Sequence, residues 1–206
     1  MMAREFLKRA FRAAATVLAG PSLIGFWASS WFLGRDRALQ NASQGLSLLP
    51  GLAGQYIRRA FLIQALEHCH PSATIEFGAL FSKAGTRLEE NVYIGPMCHI
   101  GLAHIGRDAL LAAAVHVPSG ARTHGIEELS VPIREQRVQW SVVKIGAGAW
   151  IGSGAIVMAD VGEGTVVGAG SVVTRPLPDQ VIAAGVPAVV KRSRTACFPP
   201  TVKKTP

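Results

Sequence analysis

The second half of this chain repeats a pattern every six residues, and this period restricts the possible folds more than any other feature. From Leu88 onward, large aliphatic side chains recur six apart, with one step of five and one of four, and glycine follows most of them. The aliphatic positions are Leu88, Ile94, Ile100, Ile105, Leu111, Val117, Ile145, Ile151, Val157, Val161, Val167 and Val173, with Thr123 in the slot after Val117.

Neither an amphipathic helix, with its period of 3.6, nor an alternating strand, with its period of two, fits this spacing. The period of six instead predicts a backbone that turns a corner every six residues, with an aliphatic side chain pointing inward and glycine where the turn is tight. Three such sides close a coil of about 18 residues, and stacked coils pair as parallel strands around an aliphatic ladder. An ordinary sheet also fits a period divisible by two, but it does not explain the regularly placed glycines.

Two stretches carry a resemblance to a known family. VKIGAGAWIGSGAIV and VGEGTVVGAGSVVTRPLPDQVIAAGVPAVVKR resemble the C-terminal half of galactoside, maltose and polysaccharide O-acetyltransferases, including their closing AGVPA turn. The layout of residues 46–192 is similar to that of O-acetyltransferases of exopolysaccharide and O-antigen biosynthesis, so the resemblance covers about 70% of the chain. It implies a mainly β fold: a left-handed parallel β-helix of hexapeptide repeats with an N-terminal helical segment.

The chain therefore divides into three parts. Residues 1–68 form an N-terminal helical segment, and residues 69–192 form the β-helix acyltransferase domain with an extruded loop at 124–143. Residues 193–206 form a basic C-terminal tail.

The repeat is interrupted once, between Thr123 and Ile145, where an interval of 22 residues replaces the usual six. His124 opens this excursion, and Glu127 and Glu128 follow it closely. The resemblance implies that His124 is the general base, since the family's catalytic histidine opens the loop extruded from the helix. A neutral imidazole can remove a hydroxyl proton without a metal. Glu127 or Glu128 orients the His124 ring or is a solvated loop charge, and the alternative for His124 is a histidine that caps a coil.

The resemblance also implies an acetyl-CoA site along the coils after the loop. Trp150 matches a tryptophan that lines the cofactor channel, although a tryptophan packed at a coil corner is an alternative. The remaining matched positions are Ser153, Ala169 and Thr174 near the pantetheine arm and Arg175 and Arg192 near the phosphates. The sequence departs from the galactoside acetyltransferases at Val189, where they carry a second basic residue, and Lys191 is the expected substitute.

The N-terminal segment contains 21 uncharged residues, Ala13 to Leu33, between basic flanks. Gly20-Pro21-Ser22 makes it a weak spanning segment, and its aromatic residues cluster as they do at membrane interfaces. Two interpretations remain open: a membrane-surface or re-entrant helix pair, or a hairpin packed on the body or on a neighbouring subunit.

Charge is concentrated at the two ends of the chain. Residues 1–37 carry a net +4, residues 38–187 a net −1 and residues 188–206 a net +5, for a total of +8. A near-neutral body argues against a nucleic-acid partner, which needs basic residues over a face or groove. Three cysteines at unrelated spacings support neither a disulfide framework nor a zinc ribbon, and they indicate a reducing compartment.

His99 and His104 are five residues apart, a spacing shared with two zinc ligands of the γ-class carbonic anhydrases, in which a third ligand would fall near residue 63 or His68. We expect no metal, because surface or core histidines explain this pattern better.

The resemblance implies a homotrimer that acetylates a sugar or lipid-linked saccharide from acetyl-CoA. The cysteine usage predicts a cytoplasmic protein, and the uncharged stretch with its basic flanks predicts a position at the inner face of the cytoplasmic membrane. Active sites would lie in clefts between adjacent β-helices. Alternatives are a serine or amino-sugar acetyltransferase, a γ-carbonic-anhydrase-like zinc hydratase, and a non-catalytic β-helix that only binds or assembles.

Overall fold

The structure, a computed structural model, describes residues 2–195, with side chains from residue 11 onward. Most of the predicted basic tail, residues 196–206, lies outside the described residues. Three helices come first: α1 (Met2–Leu33), α2 (Arg35–Ser47) and α3 (Gly51–Ala65). Gly34 separates α1 from α2 with a φ of +78°, a conformation that glycine adopts without strain.

Residues 13–33 lie in one continuous helix, with Pro21 inside it. A re-entrant helix pair over residues 13–33 is therefore wrong for this structure. The chain instead folds back at Gly34, and α1 packs against α2 and α3.

Sixteen short strands follow the helices. They are β1 (His68–Cys69), β2 (Thr74–Ile75), β3 (Leu80–Phe81), β4 (Arg87–Leu88), β5 (Tyr93–Ile94), β6 (His99–Ile100), β7 (Ala103–Ile105), β8 (Leu110–Leu111), β9 (His116–Val117), β10 (Val143–Ile145), β11 (Trp150–Ile151), β12 (Ile156–Val157), β13 (Val166–Val167), β14 (Val172–Val173), β15 (Val181–Ala184) and β16 (Val189–Ser193).

The strands form three parallel sheets, which are the three sides of a β-helix of about six turns. Sheet A is ordered β1-β4-β7-β10, sheet B is β16-β15-β13-β11-β8-β5-β2, and sheet C is β14-β12-β9-β6-β3. Within sheet B only the pairing of β15 with β16 is antiparallel, and it closes the C-terminal end of the helix. The predicted β-helix of hexapeptide repeats is confirmed.

The aliphatic ladder lies inside the β-helix, and its members stack in register from coil to coil. Ile94, Leu111 and Ile151 follow one another on sheet B and are completely buried. The ladder begins one coil earlier than the sequence pattern indicated, because Cys69, Ile75 and Phe81 occupy the same inward positions in the first coil.

Glycine is required where two coils approach closely. A Cβ on Gly152 would lie 2.5 Å from the backbone nitrogen of Ala169 in the next coil. Such an approach leaves no room for any side chain.

The predicted inward slot at Thr123 is wrong. The chain leaves the β-helix after β9, and the sheet A strand of the next coil is β10, whose Ile145 pairs with Ile105. The loop starts earlier than residue 124, since the Ser141 N–H donates to the Ser119 carbonyl at 2.9 Å and closes the base of the excursion.

Arg58 anchors the helical segment to the first coil, and it is buried although it is charged. Its guanidinium donates to the carbonyls of Leu46, Leu49 and Ile75, the last on the β-helix.

Candidate active site

The extruded loop, residues 120–142, is held in shape by its own polar contacts. The Gly125 N–H donates to the Arg137 carbonyl at 2.8 Å. The Gln136 side-chain amide donates to the carbonyls of Glu128 and Val131 at 2.8 and 2.9 Å. The loop is therefore a folded element with a defined position beside sheet C.

Trp140 connects this loop to the body of the protein. The Lys83 ammonium lies 2.9 Å from the centroid of the Trp140 ring, a cation–π contact. Lys83 is nearly buried and forms an ion pair with Asp36 of α2 at 2.9 Å. The tryptophan keeps 55% of its surface exposed, so part of the indole remains free to contact a ligand.

A cleft of about 370 Å³ opens beneath Trp140 on the outer surface of sheet C. Its lining side chains are mainly polar or aromatic: Ser82, Lys83, His99, His116, Ser119 and Trp140. We call it the histidine cleft.

His99 and His116 are neighbours on adjacent coils of this cleft. They occupy equivalent positions in β6 and β9, with ring centroids 6.0 Å apart. Partial burial lowers the pKa of His99, and the neighbouring His116 lowers it further. His99 is therefore a neutral imidazole at neutral pH, which can both donate and accept a hydrogen bond.

A second cleft, of about 630 Å³, also has Trp140 in its lining. It is lined by loop residues that include Arg122 and Gln139, and by Met158, Ala159 and Thr174 of the later coils. We call it the threonine cleft. Because Trp140 lines both clefts, the two clefts are adjacent.

The predicted base and its partner lie near these clefts but line neither of them. His124 is exposed on the loop. One oxygen of the Glu127 carboxylate accepts from the Ile126 N–H at 2.9 Å, and among the described residues no hydrogen bond joins Glu127 or Glu128 to His124. In a single copy of this chain, the imidazole of His124 thus faces solvent.

The predicted cofactor residues do not form one group within a single chain. Thr174 lines the threonine cleft and Arg175 follows it, at the corner after sheet C. Ser153 and Ala169 are stacked at a different corner, between sheets B and C, where the Gly170 N–H donates to the Ser153 carbonyl at 2.8 Å.

The other three predicted cofactor residues, Trp150, Lys191 and Arg192, lie on sheet B. Trp150 points outward from β11 and is half exposed, rather than packed at a corner. Lys191 and Arg192 are exposed on β16, near Val189.

Four residues that line the clefts were not among the site residues predicted from the sequence: Lys83, His116, Arg122 and Trp140. For His116 a signal was available, since it follows His99 by 17 residues, close to the length of one coil. Nothing in the sequence indicates that Trp140 folds back onto Lys83.

The histidines considered as zinc ligands do not converge. His99 lies on sheet C, whereas His104 lies on sheet A, where its Nε2 is 3.1 Å from Glu89. His68 also contacts Glu89, at 3.6 Å. Within residues 11–195, no group of three or more histidine, cysteine, aspartate or glutamate side chains is arranged to hold a metal ion.

Comparison with known proteins decides the family. The chain is 30% identical over 156 residues to WbbJ of Escherichia coli K12, named for lipopolysaccharide biosynthesis O-acetyl transfer, covering 66% of this chain and 80% of WbbJ. This chain belongs to the hexapeptide-repeat β-helix acetyltransferases. It is also 27% identical over 166 residues to the galactoside O-acetyltransferase of E. coli K12, covering 69% of this chain and 80% of that enzyme. No family model matches the chain.

Solved structures show the same fold in other proteins. A maltose O-acetyltransferase from Clostridium difficile 630 superposes on this acetyltransferase with a TM-score of 0.66 at 22% identity, covering 77% of this chain and 87% of that one. A galactoside acetyltransferase in complex with coenzyme A superposes with a TM-score of 0.64 at 22% identity, covering 79% and 84% of the two chains.

Proposed function

We propose that this acetyltransferase moves the acetyl group of acetyl-CoA to a sugar hydroxyl of a cell-envelope polysaccharide or of its lipid-linked precursor, with His124 as the general base. Such an acceptor belongs to exopolysaccharide, capsule or O-antigen biosynthesis. The relatives above, which are named for O-acetyl transfer to galactosides or maltose or in lipopolysaccharide biosynthesis, support a saccharide acceptor.

The observation that carries the proposal is the meeting of two clefts at Trp140. Transfer between two substrates needs both reacting groups in contact at one place. The threonine cleft contains Thr174, one of the expected pantetheine contacts, so we place the acetyl donor there. The histidine cleft then takes the acceptor.

The side chains of the histidine cleft suit a sugar. The exposed part of the Trp140 indole offers an apolar surface for the C–H face of a pyranose ring. Neutral His99 and the adjacent His116 offer hydrogen-bond partners to sugar hydroxyls, and Ser82 and Ser119 add hydroxyl groups.

In the proposed reaction the acceptor oxygen attacks the thioester carbonyl carbon while His124 takes the hydroxyl proton. A C–O bond forms and the C–S bond breaks, and the proton passes from the imidazole to the departing thiolate. The products are a sugar acetate ester and free coenzyme A, with no other reactant needed.

We further propose that the complete site forms between copies of this chain in a homotrimer. The expected cofactor residues lie at two corners of one chain, on either side of sheet C, so two neighbouring copies would bring the two sets together. The loop also exposes several apolar side chains, which packing against a neighbour would cover: Ile126, Leu129, Ile133, Val138 and Val142.

The proposal is tested with the purified full-length chain, acetyl-CoA and a panel of envelope saccharides. Thiol release measures turnover, and mass spectrometry with NMR locates the new acetyl group. We expect an acetate ester on a sugar hydroxyl, formed only when the saccharide is present.

Two results would overturn the sugar assignment. One is full turnover with free serine, and the other is an amide product on an amino sugar. Acetyl-CoA binding without transfer to any acceptor would favour a protein that only binds or assembles.

A further inference from the structure

Helix α1 is apolar on both of its sides, but the protein covers only one of them. Ala15, Ala19 and Phe26 are buried against the other two helices. On the opposite side, Trp31 and Phe32 are 88% and 89% exposed. A helix that is apolar all round needs a second apolar surface to contact.

The exposed side chains form one continuous surface, which we call the apolar face. On α1, Val17, Ile24, Trp27 and Trp31 are seven, three and four residues apart, which is the helical period, and Leu18 and Phe32 lie beside them. The surface continues onto the turn between α2 and α3 and the first turn of α3. Leu18 and Leu49 line the same groove, which joins the two parts. The apolar face consists of Val17, Leu18, Ile24, Trp27, Trp31, Phe32, Leu48, Leu49 and Leu52.

Positive charge flanks the apolar face at both ends of α1. In the sequence, four basic residues and one acidic residue precede Ala13, and Arg35 and Arg37 follow Leu33. No charged residue occurs between them. A second copy of this surface would bring positive ends together, whereas an anionic lipid surface complements them.

Helix α1 is long enough to span a bilayer, but its packing does not suit a spanning position. Among the described residues, Phe11–Leu33 is the one stretch with the length and composition of a membrane span. However, α2 doubles back beside α1 and carries the polar side chains of Gln40, Asn41 and Gln44. Spanning would take these groups into hydrocarbon.

The start of α2 is also fixed to the β-helix. Asp36 pairs with Lys83 at 2.9 Å and accepts from the Ala84 N–H at 2.9 Å. This keeps Leu33, the end of the apolar stretch, beside the body of the enzyme. Only the outer side of α1 is then free to meet a membrane.

From this packing we propose that the apolar face of α1 lies in the plane of an anionic membrane surface, with Trp27 and Trp31 at the level of the headgroups and the β-helix in water. Aromatic side chains next to basic residues are typical of such interfacial helices. The arrangement would hold the clefts near lipid-linked saccharides, although lipid binding itself does not depend on the proposed acetyl transfer.

The experiment is flotation of the full-length enzyme with vesicles of phosphatidylcholine alone or with phosphatidylglycerol added. We expect binding to the mixed vesicles that decreases with salt. Trp31→Ser with Phe32→Ser should lower the partition coefficient at least tenfold. The matched control is Leu110→Ser, which changes an exposed apolar residue of β8, away from the helices and the loop, and should leave the partition coefficient unchanged.

Tryptophan fluorescence gives a second readout. The sequence contains four tryptophans, so in a variant with Trp140→Phe and Trp150→Phe all tryptophan emission comes from Trp27 and Trp31. Anionic vesicles should shift it to shorter wavelength.

Several outcomes would overturn the proposal. In flotation, they are no binding of the enzyme to mixed vesicles, or binding by the double variant as strong as that of the wild type. In fluorescence, the outcome is emission that is already blue-shifted without lipid, as expected if a second copy covers the apolar face. Retention of the protein in vesicles through alkaline carbonate extraction would show a spanning helix instead. Acetyl transfer to a soluble saccharide, measured in parallel, separates failure of membrane binding from failure of the proposed function.

Discussion

The ammonium of Lys83 lies between two partners, the Trp140 ring at 2.9 Å from its centroid and the Asp36 carboxylate at 2.9 Å. This contact links α2, the first coil and the extruded loop at one point. The position of the loop therefore depends on a residue of the first coil. Since Trp140 borders both clefts, the same contact also fixes a wall that the two clefts share.

The first prediction concerns this contact. Lys83→Met and Trp140→Ala should show a coupling free energy of about 1 kcal/mol in a double-mutant cycle of urea unfolding, because a partly desolvated cation–π pair is lost. Either change should also raise the KM for the acceptor. Strictly additive effects would contradict the contact, and Lys144→Met, at an exposed position of β10, is the matched control.

The second prediction concerns pH and stability. The pKa of His99 is below its ordinary value of 6.5, because burial and then His116 disfavour the imidazolium. The unfolded chain therefore binds this proton more readily, so the free energy of unfolding should fall as pH drops below about 6.5. In His99→Gln the pH dependence should be shallower over that range. Denaturant titrations at a series of pH values measure it, and an unchanged slope would argue against the lowered pKa.

The third prediction concerns Arg58. Burial lowers its pKa, an effect that Glu76 partly offsets, and its carbonyl contacts satisfy most of its donors. Arg58→Ala should cost about 3 kcal/mol of unfolding free energy, because it leaves buried carbonyls without partners. Arg59→Ala removes a guanidinium stacked on Tyr56 at 4.6 Å and one hydrogen bond to the Ala73 carbonyl, and because Arg59 is only partly buried it should cost about 1 kcal/mol. Equal losses in the two variants would be inconsistent with the anchoring role of Arg58.

The fourth prediction compares two glycines. Gly152→Ala should destabilise the protein by about 2 kcal/mol or more, because the new Cβ would lie 2.5 Å from the backbone of the next coil. Gly25→Ala lies inside α1, and its new Cβ would meet no atom of a non-neighbouring residue within 4 Å, so it should be neutral or stabilising by up to about 1 kcal/mol. Thermal unfolding of both variants measures the difference. A tolerated Gly152→Ala would mean that the coils can move apart.

The β-helix was predictable because the six-residue spacing of its inward aliphatic side chains is visible in the sequence. Each coil repeats the same inward positions, so the phase of Ile94 also gives the phase of Ile151. The inward position predicted for Thr123 was wrong, because an excursion need not preserve this phase once the chain has left the coil. The helix pair predicted over residues 13–33 was also wrong, since α1 is continuous through Pro21.

The site was less predictable, because it depends on contacts between residues far apart in the chain. Coil spacing relates His99 to His116, but it says nothing of a loop that folds back to place Trp140 on Lys83. The resemblance to the family supplied His124 and the cofactor positions. Their separation on a single chain follows from the β-helix, which sends corresponding positions of successive sides to different corners.

The role of His124 as the proton acceptor is the central claim, and kinetics of a His124 variant test it most directly. The measurement is kcat/KM for thiol release from acetyl-CoA with a saccharide acceptor, for the wild type, His124→Ala and Arg134→Ala, an exposed control in the same loop. A general base contributes about 10²-fold or more, so we predict a loss of at least that size in His124→Ala and little change in the control. Unchanged turnover in a folded His124→Ala variant would contradict the account and would remove His124 from the reaction.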